Sequence, residues 1–263
     1  MGIYNMAKKK SGNRIYKKKR QPQRLADILQ PEKKNQPVKK TEPEKEINEK
    51  TGASVSSAKE KIKAIDSFVQ AVDYRLRCKA AIDILMAKLK MINAELSDQK
   101  KRTVISQTTS RIKSAESIYV KLIKKELTPD FETARKNLKD LIGIRVVCPF
   151  EDELYQVAEL LEMQKDIRVI QIKDYIKNPK KNGYKSLHMI VEVPIYSAEG
   201  EQKELVEIQL RTMAMDYWSV LEYELYYKKR DDAEIEAELK KYAEEIAKLD
   251  SRMLKLRNKI EKM

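Results

Sequence analysis

Hydrophobic positions repeat along most of this chain with one of two periods, and the period separates helices from strands. Between Ala58 and Leu96 apolar residues recur at helical spacing without proline or glycine, which predicts one long helix or two short ones. The same spacing predicts helices over Asp152–Met163 and Met213–Tyr227. Alternating or β-branched runs predict four strands: Ile144–Pro149, Ile167–Tyr175, Leu187–Tyr196 and Glu204–Thr212.

Turn and capping residues mark where some of these segments begin and end. The segment Thr128–Asp130 contains a proline before an acidic residue and predicts the start of a helix. The segment Ala198–Gly200 predicts a tight turn that joins the last two strands as an antiparallel hairpin. Helices and strands are interleaved, so the pattern predicts an α+β fold in which a mixed sheet is flanked by helices.

The C-terminal part of the chain carries a heptad seam. Its apolar residues are separated alternately by four and three positions, with charged residues elsewhere. They are Ile235, Leu239, Tyr242, Ile246, Leu249, Met253, Leu256 and Ile260. Such a seam either packs against another helix, as at a subunit interface, or is buried on its own domain.

Charge is concentrated at the N-terminus. Lysine and arginine outnumber aspartate and glutamate by 55 to 41, and residues 1–24 contain nine basic residues and no acidic one. Residues 1–58 also hold four of the eight prolines and few large apolar residues, which predicts a basic extension without stable order. The extension either binds RNA or another polyanion, or is a solvated tail.

Other residue types exclude several classes of protein. The two cysteines, Cys78 and Cys148, have no metal-binding spacing and fit a reducing, cytoplasmic location. No apolar run predicts a membrane span or a signal peptide. With His188 as the single histidine, zinc catalysis and histidine-rich phosphohydrolase chemistry are not expected.

One predicted strand carries an unusual polar face. Along Glu204–Thr212, Glu207, Gln209 and Arg211 alternate with apolar residues. A carboxylate can hold a metal or accept a proton, an amide can contact a base, and a guanidinium can neutralise phosphate. An ordinary half-buried strand also has a polar face. Asp140 is a second carboxylate that could share a metal ion with Glu207, or else cap a helix or form a salt bridge.

A basic loop precedes the strand that begins at Leu187. Lys180, Lys181 and Lys185 surround Gly183 and Tyr184. A tyrosine beside lysines is suited to stacking on a base while the lysines contact phosphates. The alternative is a solvated loop whose tyrosine packs on the domain.

Four segments together resemble the RelA/SpoT synthetase domain in their order and approximate spacing. They are Arg111–Ser114, Asp140 followed by Arg145, Gly183–His188 and Glu207–Thr212. The continuation Ala214–Trp218, followed by Tyr226–Lys228, is similar to the single-domain, RelQ-like small alarmone synthetases. The resemblance covers residues 60–262 and implies a sheet of about five strands with a nucleotidyltransferase-like fold. Composition sets apart the extension 1–58. The resemblance and the heptad seam divide the rest into a synthetase domain 59–230 and a C-terminal helix 231–263 that is expected to oligomerise.

That family transfers the β,γ-pyrophosphate of ATP to the ribose 3′-hydroxyl of GDP or GTP, which releases AMP and forms ppGpp or pppGpp. The resemblance implies that Asp140 and Glu207 bind Mg²⁺ and that Glu207 is the base. It assigns ATP to Arg111, Lys113, Lys121 and Arg145. It assigns the guanine nucleotide to Tyr184, Lys180, Lys181, Lys185, His188, Gln209 and Asp216.

The resemblance also implies a homotetramer and synthesis without a hydrolase domain. Two departures are visible: Tyr223 replaces a histidine that many members have, and the basic extension has no counterpart in compact members. Two rival functions stay open. One is transfer of pyrophosphate to the 3′ end of tRNA, as in toxic relatives, and the other is a non-catalytic RNA-binding module on the same fold.

Overall fold

A mixed sheet organises the described part of the chain, which is residues 55–226 and 233–263 of the computed structural model. The sheet has five strands in the order β1-β2-β5-β4-β3. The central strands β2 and β5 are parallel, and all other neighbours are antiparallel. The strands are β1 (Gln107–Ile112), β2 (Ile142–Cys148), β3 (Arg168–Asp174), β4 (Leu187–Ser197) and β5 (Gly200–Thr212).

Helices precede, connect and follow these strands. Within the described residues they are α1 (Val55–Val69), α2 (Val72–Lys100), α3 (Ala115–Lys124), α4 (Phe131–Asn137), α5 (Glu151–Glu162), α6 (Met213–Tyr226) and α7 (Ala233–Ile260). The predicted N-terminal helical region is thus two helices with a break at Gln70 and Ala71. The first begins inside the predicted extension 1–58, of which residues 1–54 lie outside the described part, as do Tyr227 and Lys228.

Two local predictions are confirmed by hydrogen bonding. The Asp130 carboxylate caps α4 by accepting from the Thr133 backbone N–H at 2.7 Å. Ser197 pairs with Gly200 at the end of the β4–β5 hairpin, where Gly200 has a φ of +102°. The α+β prediction is confirmed as well.

Strand β1 is the element that the residue pattern did not predict. Its sequence, Gln-Thr-Thr-Ser-Arg-Ile, contains a single large apolar residue and is mostly exposed at the sheet edge. Its extended conformation comes from pairing with β2, in which Arg111 lies opposite Gly143. Because tertiary pairing and not side-chain burial holds this strand, the hydrophobic pattern could not reveal it.

The two faces of β5 differ as its alternation predicts. Val206, Ile208 and Leu210 are fully buried, and helices α2 and α5 pack against the sheet that contains them. Glu207 and Gln209 are directed to the opposite face and are partly exposed. The apolar side of the strand therefore fixes the position of the polar side.

Helix α7 divides the predicted heptad seam between two environments. Leu239 is buried, and Ile235 and Ile246 pack around it against Trp218. The rest of the seam is exposed, and we call it the α7 stripe: Tyr242, Leu249, Met253, Leu256 and Ile260. Part of the seam is thus buried on its own domain, and part has no cover within the described residues.

Both cysteines are buried inside the domain. Cys78 and Cys148 are free thiols with no exposed surface, and burial raises their pKa values to about 11 and about 12. None of the helices in residues 55–226 and 233–263 is long and apolar enough to span a membrane.

The loop between β3 and β4 rests directly on α7. Gly183 has a φ of +87°, which favours glycine, and a Cβ atom placed there would lie 2.6 Å from the Cβ of Ala243. The helix is held nearby by the Trp218 indole N–H, which donates to the Leu239 carbonyl at 3.0 Å. Gly183 therefore allows the loop to approach α7 more closely than any larger residue would.

We predict that Gly183→Ala is more destabilising than Gly200→Ala. Both substitutions place alanine at a positive φ, but a Cβ at Gly200 meets nothing within 4 Å. Gly200→Ala should cost about 1 kcal/mol from backbone strain alone. Gly183→Ala should cost about 2–4 kcal/mol, because overpacking adds to the strain. Urea unfolding measures both, and equal losses would contradict the close approach to Ala243.

Candidate active site

Polar side chains from adjacent strands form rows on the open face of the sheet. Glu207 lies opposite Gly143 of β2, and Gln209 lies between Arg145 of β2 and His188 of β4. Directly opposite residues on neighbouring strands point to the same face. Strand pairing therefore brings together residues that are far apart along the chain.

Asp140 lies just before β2 and is held by two lysines. Its Oδ2 atom accepts from Lys113 Nζ at 2.9 Å and lies 2.6 Å from Lys121 Nζ. Burial raises the pKa of this carboxyl, but the hydrogen bonds from Lys121 and Lys113 outweigh burial and leave the pKa below its ordinary value. Asp140 is therefore ionised at neutral pH.

Glu207 is the second carboxylate and is held through both of its oxygens. Oε1 lies 3.2 Å from His188 Nδ1, and Oε2 accepts from Gln209 Nε2 at 2.7 Å. Burial and the charge of Asp140 raise the pKa of Glu207, but His188 and Gln209 outweigh them and hold it below its ordinary value. Glu207 therefore also carries a negative charge at neutral pH.

Tyr184 and Arg211 extend this arrangement into a closed ring of hydrogen bonds, which we call the Glu207 ring. The Tyr184 hydroxyl lies 2.8 Å from His188 Nε2 and accepts from Arg211 Nη2 at 2.9 Å. Arg211 Nη2 also donates to Gln209 Oε1 at 3.0 Å. The ring runs Glu207–His188–Tyr184–Arg211–Gln209 and back to Glu207.

Aromatic and cationic groups surround the Tyr184 ring. The Lys180 ammonium lies 4.7 Å from its centroid and 4.9 Å from that of Tyr175. The ring meets Tyr175 and His188 edge to face, with centroids 6.1 and 5.8 Å away. Burial, outweighing the nearby Glu207 charge, lowers the pKa of Lys180. Tyr184 thus combines an aromatic face with a positive charge, which suits a base that carries phosphates.

A recess of about 110 Å³ lies beside this cluster on the same face. Arg111 and Arg145 line it together with Gln209, Gly143, Ile144, Thr109 and Ser110. Arg145 Nη1 is 3.3 Å from Asp216 Oδ1, which also accepts from Arg211 Nη1 at 3.0 Å. Asp216 therefore connects the arginine recess to the Glu207 ring.

Two of the predicted lysines have other surroundings. Lys181 is exposed, whereas Lys185 lines a separate cavity with Glu151 and Asp250, on the side of the loop that faces α7. Lys113 and Lys121 contact Asp140, and the charge of Lys180 interacts with that of Glu207, so these three lysines lie near the two carboxylates.

Three residues near the site have contacts that the sequence pattern does not reveal. The residue type of Arg211 indicates a phosphate contact, whereas in the structure it pairs with Asp216 and takes part in the Glu207 ring. Tyr175 was identified only as the end of a strand, and Asn182 was not singled out, although its Oδ1 accepts from the Tyr184 backbone N–H at 3.2 Å. Tyr175 could have been noted as a second aromatic residue flanking the basic loop, but the role of Asn182 depends on loop geometry.

The two carboxylates fit a hard divalent cation. Asp140 Oδ1 is buried and has no hydrogen-bond partner. This oxygen is therefore available as a metal ligand beside Oδ2, which contacts Lys113 and Lys121. No group of three or more histidine, cysteine, aspartate or glutamate side chains suitable for a metal occurs in the described residues. A metal held here would therefore take most of its ligands from water or from a bound phosphate, as Mg²⁺ commonly does.

Comparison with known proteins shows which family the chain is similar to. Residues 110–232 match the family described as "Region found in RelA / SpoT proteins". The chain is 37% identical over 185 residues to GTP pyrophosphokinase YwaC of Bacillus subtilis (strain 168), covering 70% of this chain and 88% of that one. It is 32% identical over 186 residues to GTP pyrophosphokinase YjbM of the same organism, covering 70% and 86%.

A solved structure extends the similarity to three dimensions. The small alarmone synthetase 1 from Bacillus subtilis, bound to its product pppGpp, superimposes with a TM-score of 0.64 at 31% identity. The match covers 70% of this chain and 94% of that one. Sequence and fold lead to the same conclusion: the chain belongs to the RelA/SpoT family and is a relative of the small alarmone synthetases.

Proposed function

We propose that this chain is a (p)ppGpp synthetase, which transfers the β,γ-pyrophosphate of ATP to the ribose 3′-hydroxyl of GDP or GTP. The observation that carries the proposal is the pair of ionised carboxylates, Asp140 and Glu207, among Lys113, Lys121 and Lys180. This chain covers most of the length of two relatives that are named GTP pyrophosphokinases, which supports the same reaction.

The donor side is the recess between Arg111 and Arg145. Arg111 and Arg145 both line this recess, and their guanidinium groups would stack on the two faces of adenine. Lys113 and Lys121 would bind the ATP phosphates, since both ammonium groups already converge on one carboxylate oxygen, Asp140 Oδ2. Their charge would stabilise the leaving AMP and the migrating pyrophosphate.

The acceptor side is built on Tyr184 and Glu207. Guanine would stack on the Tyr184 ring, and Lys180 would move from that ring to the acceptor phosphates. Glu207 would accept the proton of the 3′-hydroxyl as the ribose oxygen forms its bond to the β-phosphorus of ATP. The bond between that phosphorus and the α,β-bridging oxygen breaks, so AMP leaves with the oxygen. Such transfers depend mainly on alignment and charge neutralisation.

Asp140 and Glu207 would hold the Mg²⁺ that the reaction requires. The cation would neutralise the charge on the transferred phosphates. Lys113 and Lys121 keep Asp140 ionised, and His188 and Gln209 keep Glu207 ionised. Both carboxylates are therefore ready to bind a cation at neutral pH.

Nucleotide product analysis tests the proposed reaction. We expect the full-length protein with ATP and Mg²⁺ to form ppGpp from GDP or pppGpp from GTP, with AMP released in equal amount. An incubation with tRNA as the only acceptor should release no AMP. Pyrophosphorylated tRNA would instead support the first rival function, and no AMP from any acceptor would support the non-catalytic one.

The variants Glu207→Gln and Asp140→Asn should both abolish synthesis while the fold stays intact. Each removes one negative charge and keeps the shape of the side chain, with an expected loss of at least about 10²–10³-fold in kcat, as for a preorganised charge contact. Glu192→Gln and Asp166→Asn are matched controls, because these carboxylates pair with Arg168 and Lys88 away from the site. AMP release and thermal unfolding are the measurements. Near-wild-type turnover in either site variant would overturn the assignment of that residue.

The exposed apolar surface supports a proposal about assembly, namely a homotetramer. In addition to the α7 stripe, α6 exposes Met213, Tyr217, Val220, Leu221 and Leu225 on one helical face. Exposed apolar surface of this kind marks interaction sites. The basic residues 1–24 lie outside the described part, and their proposed partner is RNA.

We predict that Leu249→Glu lowers the assembly state. Leu249 is 59% exposed in the centre of the α7 stripe, and a charge there would be buried without a partner in an interface. Ala237→Glu adds the same charge at an exposed position on another side of α7 and should leave the mass unchanged. Light scattering reports the mass, and an unchanged mass for Leu249→Glu would remove the stripe from the interface.

A further inference from the structure

Arg211 occupies an unusual position for a charged residue. Its side chain is only 7% exposed at the C-terminal end of β5, where Val147 of β2 lies opposite. Asp216 is the carboxylate within ion-pair distance of its guanidinium. If charge compensation were its only role, the pair with Asp216 would be sufficient. The remaining contacts of the guanidinium are therefore informative.

Those contacts are with two neutral acceptors of the Glu207 ring. The single nitrogen Nη2 donates to the Tyr184 hydroxyl at 2.9 Å and to Gln209 Oε1 at 3.0 Å. Nη2 carries two hydrogens, so each acceptor takes one. Nη1 is directed to Asp216 Oδ1 at 3.0 Å, which fixes the plane of the fork.

The direction of the remaining hydrogen bonds follows from this arrangement. Because the Tyr184 oxygen accepts from Arg211, its own proton is free to be donated to His188 Nε2, 2.8 Å away. His188 Nε2 is then an acceptor, so the imidazole proton is on Nδ1 and is donated to Glu207 Oε1.

The second path around the ring ends on the same carboxylate. Arg211 holds the Gln209 carbonyl oxygen, which directs the amide nitrogen to Glu207 Oε2 at 2.7 Å. Without that donor, the amide could rotate and present its oxygen to Glu207. Both paths from Arg211 therefore deliver a donor to Glu207, one to each oxygen.

We propose that Arg211 is a positioning residue that sets the hydrogen-bond direction around the Glu207 ring. It acts through Tyr184 and Gln209, because it directs the Tyr184 hydroxyl proton to His188 Nε2 and the Gln209 amide nitrogen to Glu207, so that both oxygens of Glu207 are oriented. Its effect on catalysis rests on the proposed function, in which Glu207 receives the proton of the acceptor. Its effect on His188 does not.

The single histidine makes the tautomer directly measurable. Since His188 is the only histidine of the chain, ¹⁵N-histidine labelling gives the ring signals of one residue without assignment. At pH of about 8, where an ordinary imidazole is neutral, the wild-type protein should show a protonated Nδ1 and a bare Nε2. A protonated Nε2 in the wild-type spectrum would overturn the proposal.

Arg211→Lys is the variant that separates orientation from charge. Lysine keeps the positive charge beside Asp216 but has no planar fork to serve Tyr184 and Gln209 together. We expect the proton to stay on Nδ1, where Glu207 accepts it, but the Nε2 signal to shift as the hydrogen bond from Tyr184 is weakened. We also expect kcat to fall about 10- to 100-fold, as for partners that orient a ligand. The KM for ATP should stay within about 3-fold. A spectrum and a kcat unchanged from wild type would contradict the positioning role.

Two further variants complete the experiment. Arg168→Lys is the matched control, because Arg168 also forms a two-oxygen pair, with Glu192, but lies on the edge strand β3. It should keep the wild-type spectrum and kinetics. Tyr184→Phe removes the hydroxyl that links Arg211 to His188 and should shift the Nε2 signal to that of a nitrogen without a hydrogen bond, even if Arg211→Lys does not fold. An unchanged Nε2 signal in Tyr184→Phe would overturn the proposal.

The two proposals can fail separately. If wild-type protein forms no alarmone from ATP and GDP but shows the expected tautomer and the shift of the Nε2 signal in Arg211→Lys, the reaction is wrong and the orienting role stands. If synthesis is observed and the Nε2 signal does not respond to Arg211, the reaction stands and the orienting role is wrong.

Discussion

The parallel pairing of β2 with β5 is the constraint on which the site depends. It places Gly143 opposite Glu207 and Arg145 opposite Gln209, so residues of the two strands share one face. The register is fixed because Val206, Ile208 and Leu210 are buried on the other face. A shift of one residue would exchange the two faces, bury the carboxylate and expose the core. The hydrophobic core thus determines where the chemistry is located.

Two partly buried carboxylates stay ionised in the site because each is stabilised by a different kind of group. Asp140 is served by charged groups, Lys113 and Lys121, whereas Glu207 is served by His188 and Gln209. A lysine can follow a mobile phosphate, but an amide held in a ring cannot move far. The two carboxylates therefore have different surroundings, one adaptable and one fixed, which agrees with the different roles proposed for them.

Much of this architecture was predictable from the sequence, and the exceptions have physical causes. Alternation in β5, the Asp130 cap and the β4–β5 turn are local features, and each was predicted from nearby residues. Strand β1 was missed because a polar edge strand has no hydrophobic signal. The contacts of Arg211 were missed because they depend on side-chain directions across two strands and a loop. The sequence motifs identify these polar residues, whereas the hydrogen bonds between them depend on the three-dimensional arrangement of their side chains.

The amino-acid composition of helix α7 is restricted on two of its sides, for different reasons. On the side that faces the loop, Ala243 lies against Gly183 so closely that residue volume is limited. On the outer side, the α7 stripe is exposed, and the interface proposed for it would limit its composition. The loop at Gly183 therefore limits the size of the side chain at position 243, which lies 60 residues further along the chain. If this helix were replaced by that of a relative, the new helix would need a small residue at this position. Otherwise the loop between β3 and β4 would have to be replaced as well, by one that accommodates a larger residue.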